Sequence, residues 1–199
     1  SRSQRAARLW LENRVLQALL LSDEPRGIDA AVHRGLTVGL EEKDVAFGKI
    51  ASFLAEGDIA GAAAILPKYD KLAEKDAYFH LAAGAALQGA GDLRAIERYE
   101  AARALDNKLV AADVLLTRAV LLELGIEKGK KPLEEVKKKM GDTPTTPTLS
   151  ALAWAVDPNR PKELPKDALI KEEERASLTA PLRPVPYVVD ALQAINAGY

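Results

Sequence analysis

Three glycines spaced 34 residues apart, Gly57, Gly91 and Gly125, punctuate the middle of this chain, and each follows an apolar pattern of helical period. The first two carry matching text, since Ala55-Glu56-Gly57-Asp58-Ile59 reappears as Gly89-Ala90-Gly91-Asp92-Leu93. A unit of that length cannot bury its own apolar face and must stack on its neighbours. In the middle copy Tyr78, Leu81, Ala82 and Ala85 fall at i, i+3, i+4 and i+7, one face of a helix. Gly91 ends that helix by taking a left-handed backbone, and Asp92 caps the next one through its carboxylate. The second helix carries Leu93, Ile96, Tyr99, Ala102 and Leu105 as one stripe and closes at Asp106-Asn107. The earlier copy repeats this with Ile59, Ala62, Ala63 and Leu66, ending at Pro67.

The middle copy resembles a tetratricopeptide repeat. Gly84 stands at the family's small position, where the two helices touch, and Leu87 where a tyrosine is usual. Ala95 and Tyr99 match the alanine and aromatic of the second helix, and Ala102 its later alanine. His80 replaces the family tryptophan, and the turn before Ala95 is one residue short. In the first copy Gly57-Asp58 and Ala62 fit, but Ile50 takes the close-contact site and Leu66 the aromatic one; in the third, Arg118 takes the close-contact site. The likeness covers roughly residues 5 to 140 and is specific for about 77 to 107.

The resemblance implies an all-α fold, a right-handed α-α superhelix of antiparallel helix pairs with a helical and extended C-terminal tail. The repeat domain is expected over 1–141, with pairs at about 5–42, 43–76, 77–110 and 111–141, followed by an extension over 142–199 packed on the repeats. In the first pair the helices run from Arg5 to Leu21 and Ile28 to Val38, with a long turn at Ser22 to Gly27. Pro132 is expected to open the second helix of the last pair, which carries Leu133, Val136 and Met140. In the extension, Thr146 and Pro147 start a helix through Val156, and Asp167 to Leu178 forms one more. Pro181, Pro184 and Pro186 force an extended run. Val188 to Ala197 is a final amphipathic helix with Val188, Leu192 and Ile195 on one side and Gly198 at its end.

Composition removes several chemistries. With 48% hydrophobic and 29% charged residues, the 199-residue chain reads as globular: one large domain, or a compact one with an extension. A net charge of -1 gives no reason to expect a nucleic-acid or membrane partner, and the absence of cysteine excludes disulfides and thiolate ligands. Asp113, Arg118 and Glu123 interrupt the best membrane-span candidate, so no membrane insertion is expected. No signal peptide is visible and the chain starts at Ser1, which leaves a cytoplasmic or an exported location open.

The candidate chemistries have plain readings. His33 and His80 are the only imidazoles, and neither has metal-ligand spacing to a partner. Gly125 to Lys131 is one residue short of a phosphate loop and lacks its Ser or Thr. Lys128, Lys130, Lys131, Lys137, Lys138 and Lys139 read as a solvated helix face, with an anion-binding patch as the lesser option. Glu172-Glu173-Glu174 reads as solvated too, or as complementary to those lysines within the fold or across a dimer. No catalytic motif appears, so no enzymatic activity, cofactor or metal is expected.

In the family the first helix of each pair lines a concave surface that receives a peptide or helix. Carried over, that row is Asp44, Phe47, Ala51 and Leu54, then Tyr78, Leu81, Ala85 and Gln88, then Ala112, Leu115, Ala119 and Leu122. The Lys and Asn that clamp a C-terminal carboxylate in chaperone-binding members are absent. A partner's amphipathic helix, the chain's own segment from Pro181 to Ile195, or neighbouring helices of a tight stack are the available covers. The expected function is a protein–protein interaction scaffold or adaptor, with homo-oligomers open. The alternative is an accessory or regulatory domain of a larger enzyme or secretion-type assembly.

Overall fold

A computed structural model describes residues 1–21 and 27–197, and every element among them is helical. The expected turn from Ser22 to Arg26 and the helix end at Gly198 lie outside these residues. The chain divides into two compact units, Ser1–Ala112 and Asp113–Tyr199.

The first unit holds α1 (Arg2–Leu21), α2 (Ile28–Thr37), α3 (Glu42–Ala55), α4 (Ile59–Ala64), α5 (Leu66–Tyr69), α6 (Ala77–Gly89) and α7 (Arg94–Leu105). Helix pairs stack in sequence order: α3 packs on both α1 and α2, and α6 on both α3 and α4. The repeated Gly-Asp text does the same work twice. Gly57 and Gly91 take φ of 77° and 72°, a left-handed backbone that a side chain would strain. The Asp58 carboxylate then accepts the Gly61 N–H at 2.7 Å, and that of Asp92 the Arg94 N–H at 2.9 Å. Gly125 also has a positive φ, 78°, but its ψ is -178°, it leads straight into the next helix, and no aspartate follows it.

Two expectations here are corrected. The buried face of α7 is Ala95, Tyr99 and Ala102, whereas Leu93 and Leu105 are 55% and 45% exposed. Gly84 of α6 lets the Tyr99 ring approach closely and so sets which face turns inward. In the first copy the helix does not stop at Pro67. The chain kinks at Ile65 and continues as α5, whose first turn tolerates a proline, and it buries Tyr69 with its hydroxyl donating to Glu42 at 2.9 Å.

Beyond α8 (Val110–Leu124), which spans the division, come α9 (Ile126–Met140), α10 (Thr145–Val156), a 3-10 turn at Lys166–Ala168, α11 (Glu172–Arg175) and α12 (Val185–Ala197). One core joins Val114 and Leu121 of α8, Leu133 and Val136 of α9, Leu149 and Trp154 of α10, then Ala168, Leu182 and Val189. The boundary expected at 141–142 therefore falls inside a unit. Helices α8 and α9 close their apolar faces with α10 and α12, and the chain divides near the start of α8, after Ala112.

Four local expectations also change. Helix α9 begins at Ile126, with Pro132 in its interior. Buried Gly129 lies so close to α8 that a Cβ there would sit 2.3 Å from Leu121 Cδ2, and this packing holds the first turns in place despite the hydrogen bond that proline removes. Asp167 to Leu178 is not one helix. Ala168 and Ile170 both lie against the core, and residues two apart cannot share a helical face. The proline run is turned rather than extended, with Leu182 N–H donating to the Thr179 carbonyl at 2.8 Å and Val185 N–H to that of Leu182 at 3.0 Å. Pro186 sits in the first turn of α12, where its fixed φ suits a helix start.

Helix α12 itself begins earlier than expected and is turned differently. Val185 and Val189 are buried with Leu192 against the core, whereas Val188 and Ile195 are 49% and 65% exposed. The helix carries two apolar stripes, and only one can face inward. Val189→Ala is expected to cost about 1–2 kcal/mol through a small cavity, and Ile195→Ala no more than about 0.5 kcal/mol. Urea unfolding followed by Trp154 emission in a Trp10→Phe background checks this. Equal losses would mean the helix is turned the other way.

Candidate functional site

The expected concave row is largely sealed. Phe47, Ala51, Leu81, Ala112, Leu115 and Ala119 are buried; Asp44, Leu54, Tyr78, Ala85 and Gln88 are half-buried; Leu122 alone is exposed. Over the first two copies the cover is α1. The Arg8 guanidinium sits 4.2 Å from the Phe47 ring centroid and 5.9 Å from that of Tyr78, and those two rings are 5.5 Å apart. Arg8 donates to both carboxylate oxygens of Asp76 at 2.9 Å, to Glu12 at 2.7 Å and to the Asp44 carbonyl. Burial alone would lower the Arg8 pKa, but the Asp76 and Glu12 carboxylates outweigh it and raise the value. Burial, then the charges of Glu12 and Asp106, push the Tyr78 hydroxyl up, so it stays a neutral phenol. Gln88 is engaged as acceptor of the Tyr99 hydroxyl at 2.9 Å. In the second unit the tail does reach α8, where Arg118 donates to the Pro181 carbonyl at 2.9 Å.

A cleft of about 360 Å³ between α4–α5 and α6–α7 contains His80, Arg98 and Asp70. His80 Nε2 donates to the Glu74 carbonyl at 2.8 Å, which leaves Nδ1 bare and facing Arg98 at 3.5 Å; Arg98 donates onward to Asp70 at 2.7 Å. The guanidinium stands between carboxylate and imidazole, so Asp70 does not orient His80 as a base. No hydroxyl or lysine side chain lines the cleft to serve as a nucleophile. His33 is exposed on α2. Among the described residues no group of three His, Asp or Glu is placed to hold a metal.

The lysine run is partly neutralised on site. Lys130 pairs with Glu127 at 2.6 Å, Lys137 with Glu134 and Asp167 at 3.2 and 3.1 Å, and Lys139 with buried Asp113 at 2.6 Å. Glu172 pairs with Arg175 at 2.9 Å, so among the described residues the acidic run does not meet those lysines.

Two further surfaces emerge from the structure, the first of them including Val188 and Ile195 of the expected apolar side. One is the outer sector of α12, where Tyr187 (67% exposed), Val188, Ala191, Ala194 and Ile195 form an apolar stripe without a charge. At 3.6 residues per turn it spans about 120° of the helix. The periodicity contained this second stripe, but nothing local distinguished it from the packed one. The other is a groove between α1 and α2 around Trp10. No family model, curated protein or solved structure matches the chain. Among the described residues no helix is long and apolar enough to cross a membrane.

Proposed function

We propose that this chain is a non-catalytic scaffold that docks an amphipathic helix of a partner protein, built on tetratricopeptide-like helix pairs coiled as a right-handed superhelix. The observation that carries the reading is the outer stripe of α12. An apolar sector that no charge interrupts, on a helix whose other face is already in the core, is disfavoured in water until something covers it. Tyr187 and Ile195 stand as large anchors with Ala191 and Ala194 beside them, an arrangement of ridge and notch against which a second helix packs closely. Arg175 pairs with Asp190 at 2.7 Å and lies 6.0 Å from the Tyr187 centroid, which steadies that anchor from one side. The expected concave row, covered by α1 over its first two copies, gives way to this face as the docking surface.

A photoreactive benzophenone side chain at Ala191, carried by the full chain in the cells that make it, tests the reading. The expected result is an adduct to a different protein, lost when Tyr187 and Ile195 are both changed to aspartate and absent when the probe sits at exposed Glu163. An adduct only between two copies of this chain would replace the partner with self-association. No adduct at all would remove the docking reading.

A further inference from the structure

The two tryptophans of this chain are treated differently. Trp154, in the core of the second unit, donates its indole N–H to the Pro161 carbonyl at 2.9 Å. Trp10, in the middle of α1, has no acceptor for that group among the described residues. Its ring is bracketed by guanidiniums instead, Arg14 at 5.7 Å and Arg34 at 5.4 Å from the centroid. Around it runs a groove of about 500 Å³ with Ala6, Ala7, Trp10 and Val38 as apolar floor and Arg2 and Arg34 on its rim.

The charge on this groove is unbalanced. Other cations of the first unit do meet acids, as Arg8 meets Asp76, Arg98 meets Asp70 and Lys49 meets Glu42. Among the described residues no carboxylate forms an ion pair with Arg2, Arg14 or Arg34. The separation follows from α1 itself. Its Arg8 side turns to α3 and α6 and meets acids there, while the side bearing Arg2, Ala6, Trp10 and Arg14 turns to the groove and meets none. The groove therefore offers the Ser3 hydroxyl, an indole N–H and guanidinium forks over a small apolar floor, a lining rich in donors and without a carboxylate.

We propose that the groove between α1 and α2 is a second docking site, for a short acidic segment of a partner protein whose carboxylates pair with Arg2 and Arg34 while an aliphatic residue between them rests on Ala6, Trp10 and Val38. Guanidinium forks match carboxylates in bidentate geometry. Nucleic acid fits less well. Its bases need free aromatic faces, and the one aromatic ring here already has two guanidiniums over it. The groove lies in the first unit and the α12 stripe in the second, so this site stands independently of the function proposed above and would make the chain a two-partner adaptor.

The test is fluorescence anisotropy on the full chain with a labelled twelve-residue peptide of repeated Asp-Glu-Leu, its amide counterpart of repeated Asn-Gln-Leu, and a twelve-nucleotide oligothymidine. The acidic peptide is expected to bind in the micromolar range and to shift Trp10 emission, read in a Trp154→Phe background. Arg34→Gln is expected to weaken it about tenfold, and Arg2→Gln with Arg34→Gln about a hundredfold, one charge-assisted pair being lost at each step. Arg34→Lys, which keeps the charge but not the fork, should lose less than Arg34→Gln. These rim side chains carry no core packing, and circular dichroism verifies that each variant stays folded. Equal binding of the amide peptide, indifference to Arg34→Gln, or no binding at millimolar peptide would each overturn the proposal. Tighter binding of the oligonucleotide through the same arginines would overturn it in favour of a nucleic-acid site.

Discussion

Arg8→Met is expected to destabilise the first unit by about 2–4 kcal/mol, a large loss for a single side chain on a helix surface. The guanidinium makes two hydrogen bonds to Asp76, one to Glu12 and one to the Asp44 carbonyl, and covers the Phe47 ring. Glu12 lies on α1 itself, Asp44 and Phe47 on α3, and Asp76 caps α6, so one residue ties α1 to α3 and to the start of α6. Charge-assisted bonds of this kind contribute about 1.5–3 kcal/mol apiece where water is excluded. The side chain keeps 22% of its surface exposed, which discounts that figure. Asp76 is not orphaned by the change, because it still accepts the N–H of Tyr78 at 3.0 Å and caps α6. Both facts shift the expected loss toward or under the lower end of the roughly 3–5 kcal/mol that breaking a fully buried pair costs. Methionine keeps an aliphatic stem but not the guanidinium over Phe47, so the deficit reports the polar contacts together with the cation–π contact. Urea unfolding followed by Trp10 emission in a Trp154→Phe background measures it, and a cycle with Asp76→Asn isolates the pair. A loss below 1 kcal/mol would mean α1 is held by apolar packing alone and that the concave row opens more readily than its burial suggests.

Arg8 also marks where the sequence stops being legible. Its partner Asp76 is 68 residues away, and nothing near Arg8 separates it from Arg5, which is exposed to solvent on the same helix. The helix ends were readable because their causes are local. A left-handed glycine followed by an aspartate cap needs only adjacent residues, and Gly57-Asp58 and Gly91-Asp92 both do what their spacing requires. Facing is another matter. Helices α7 and α12 each carry more apolar surface than one stripe, and only the neighbour decides which stripe is buried. For α7 the close-contact pattern of Gly84, Ala95, Tyr99 and Ala102 marked the right face where periodicity alone favoured a stripe through Leu93. The division within α8 had no compositional signal at all, because the helix runs through it unbroken. The candidate surfaces shared that difficulty. Trp10 between Arg14 and Arg34 is visible only once α2 is laid beside α1, and the outer stripe of α12 only once the inner one is known.

Gly84→Val is expected to cost about 3 kcal/mol or more, the second large effect, and Gly84→Ala about 1–2 kcal/mol. A Cβ at position 84 would lie 2.6 Å from Tyr99 Cε1 and 2.7 Å from Cδ1, well inside contact distance. The ring has nowhere to move, since it is fully buried and its hydroxyl is tied to Gln88 at 2.9 Å. Helices α6 and α7 must therefore separate, and that strain opposes the roughly 1 kcal/mol that alanine gains over glycine in a helix. Valine adds two γ-carbons to the same crowded space and loses part of the propensity gain through its stiff χ1. Gly89→Ala, at the end of the same helix, is the control: its Cβ would meet the Ile59 side chain at 3.0 Å on an exposed site, and stability should change by less than about 0.5 kcal/mol. Combining Gly84→Ala with Tyr99→Leu removes the ring that the new methyl group strikes. The pair should then cost less than the sum of its parts, a coupling that adjacent residues in one interface show. If Gly84→Ala were as stable as the parent chain, the close approach of α6 and α7 would be looser than the Gly84–Tyr99 contact indicates, and the facing of α7 would need another cause.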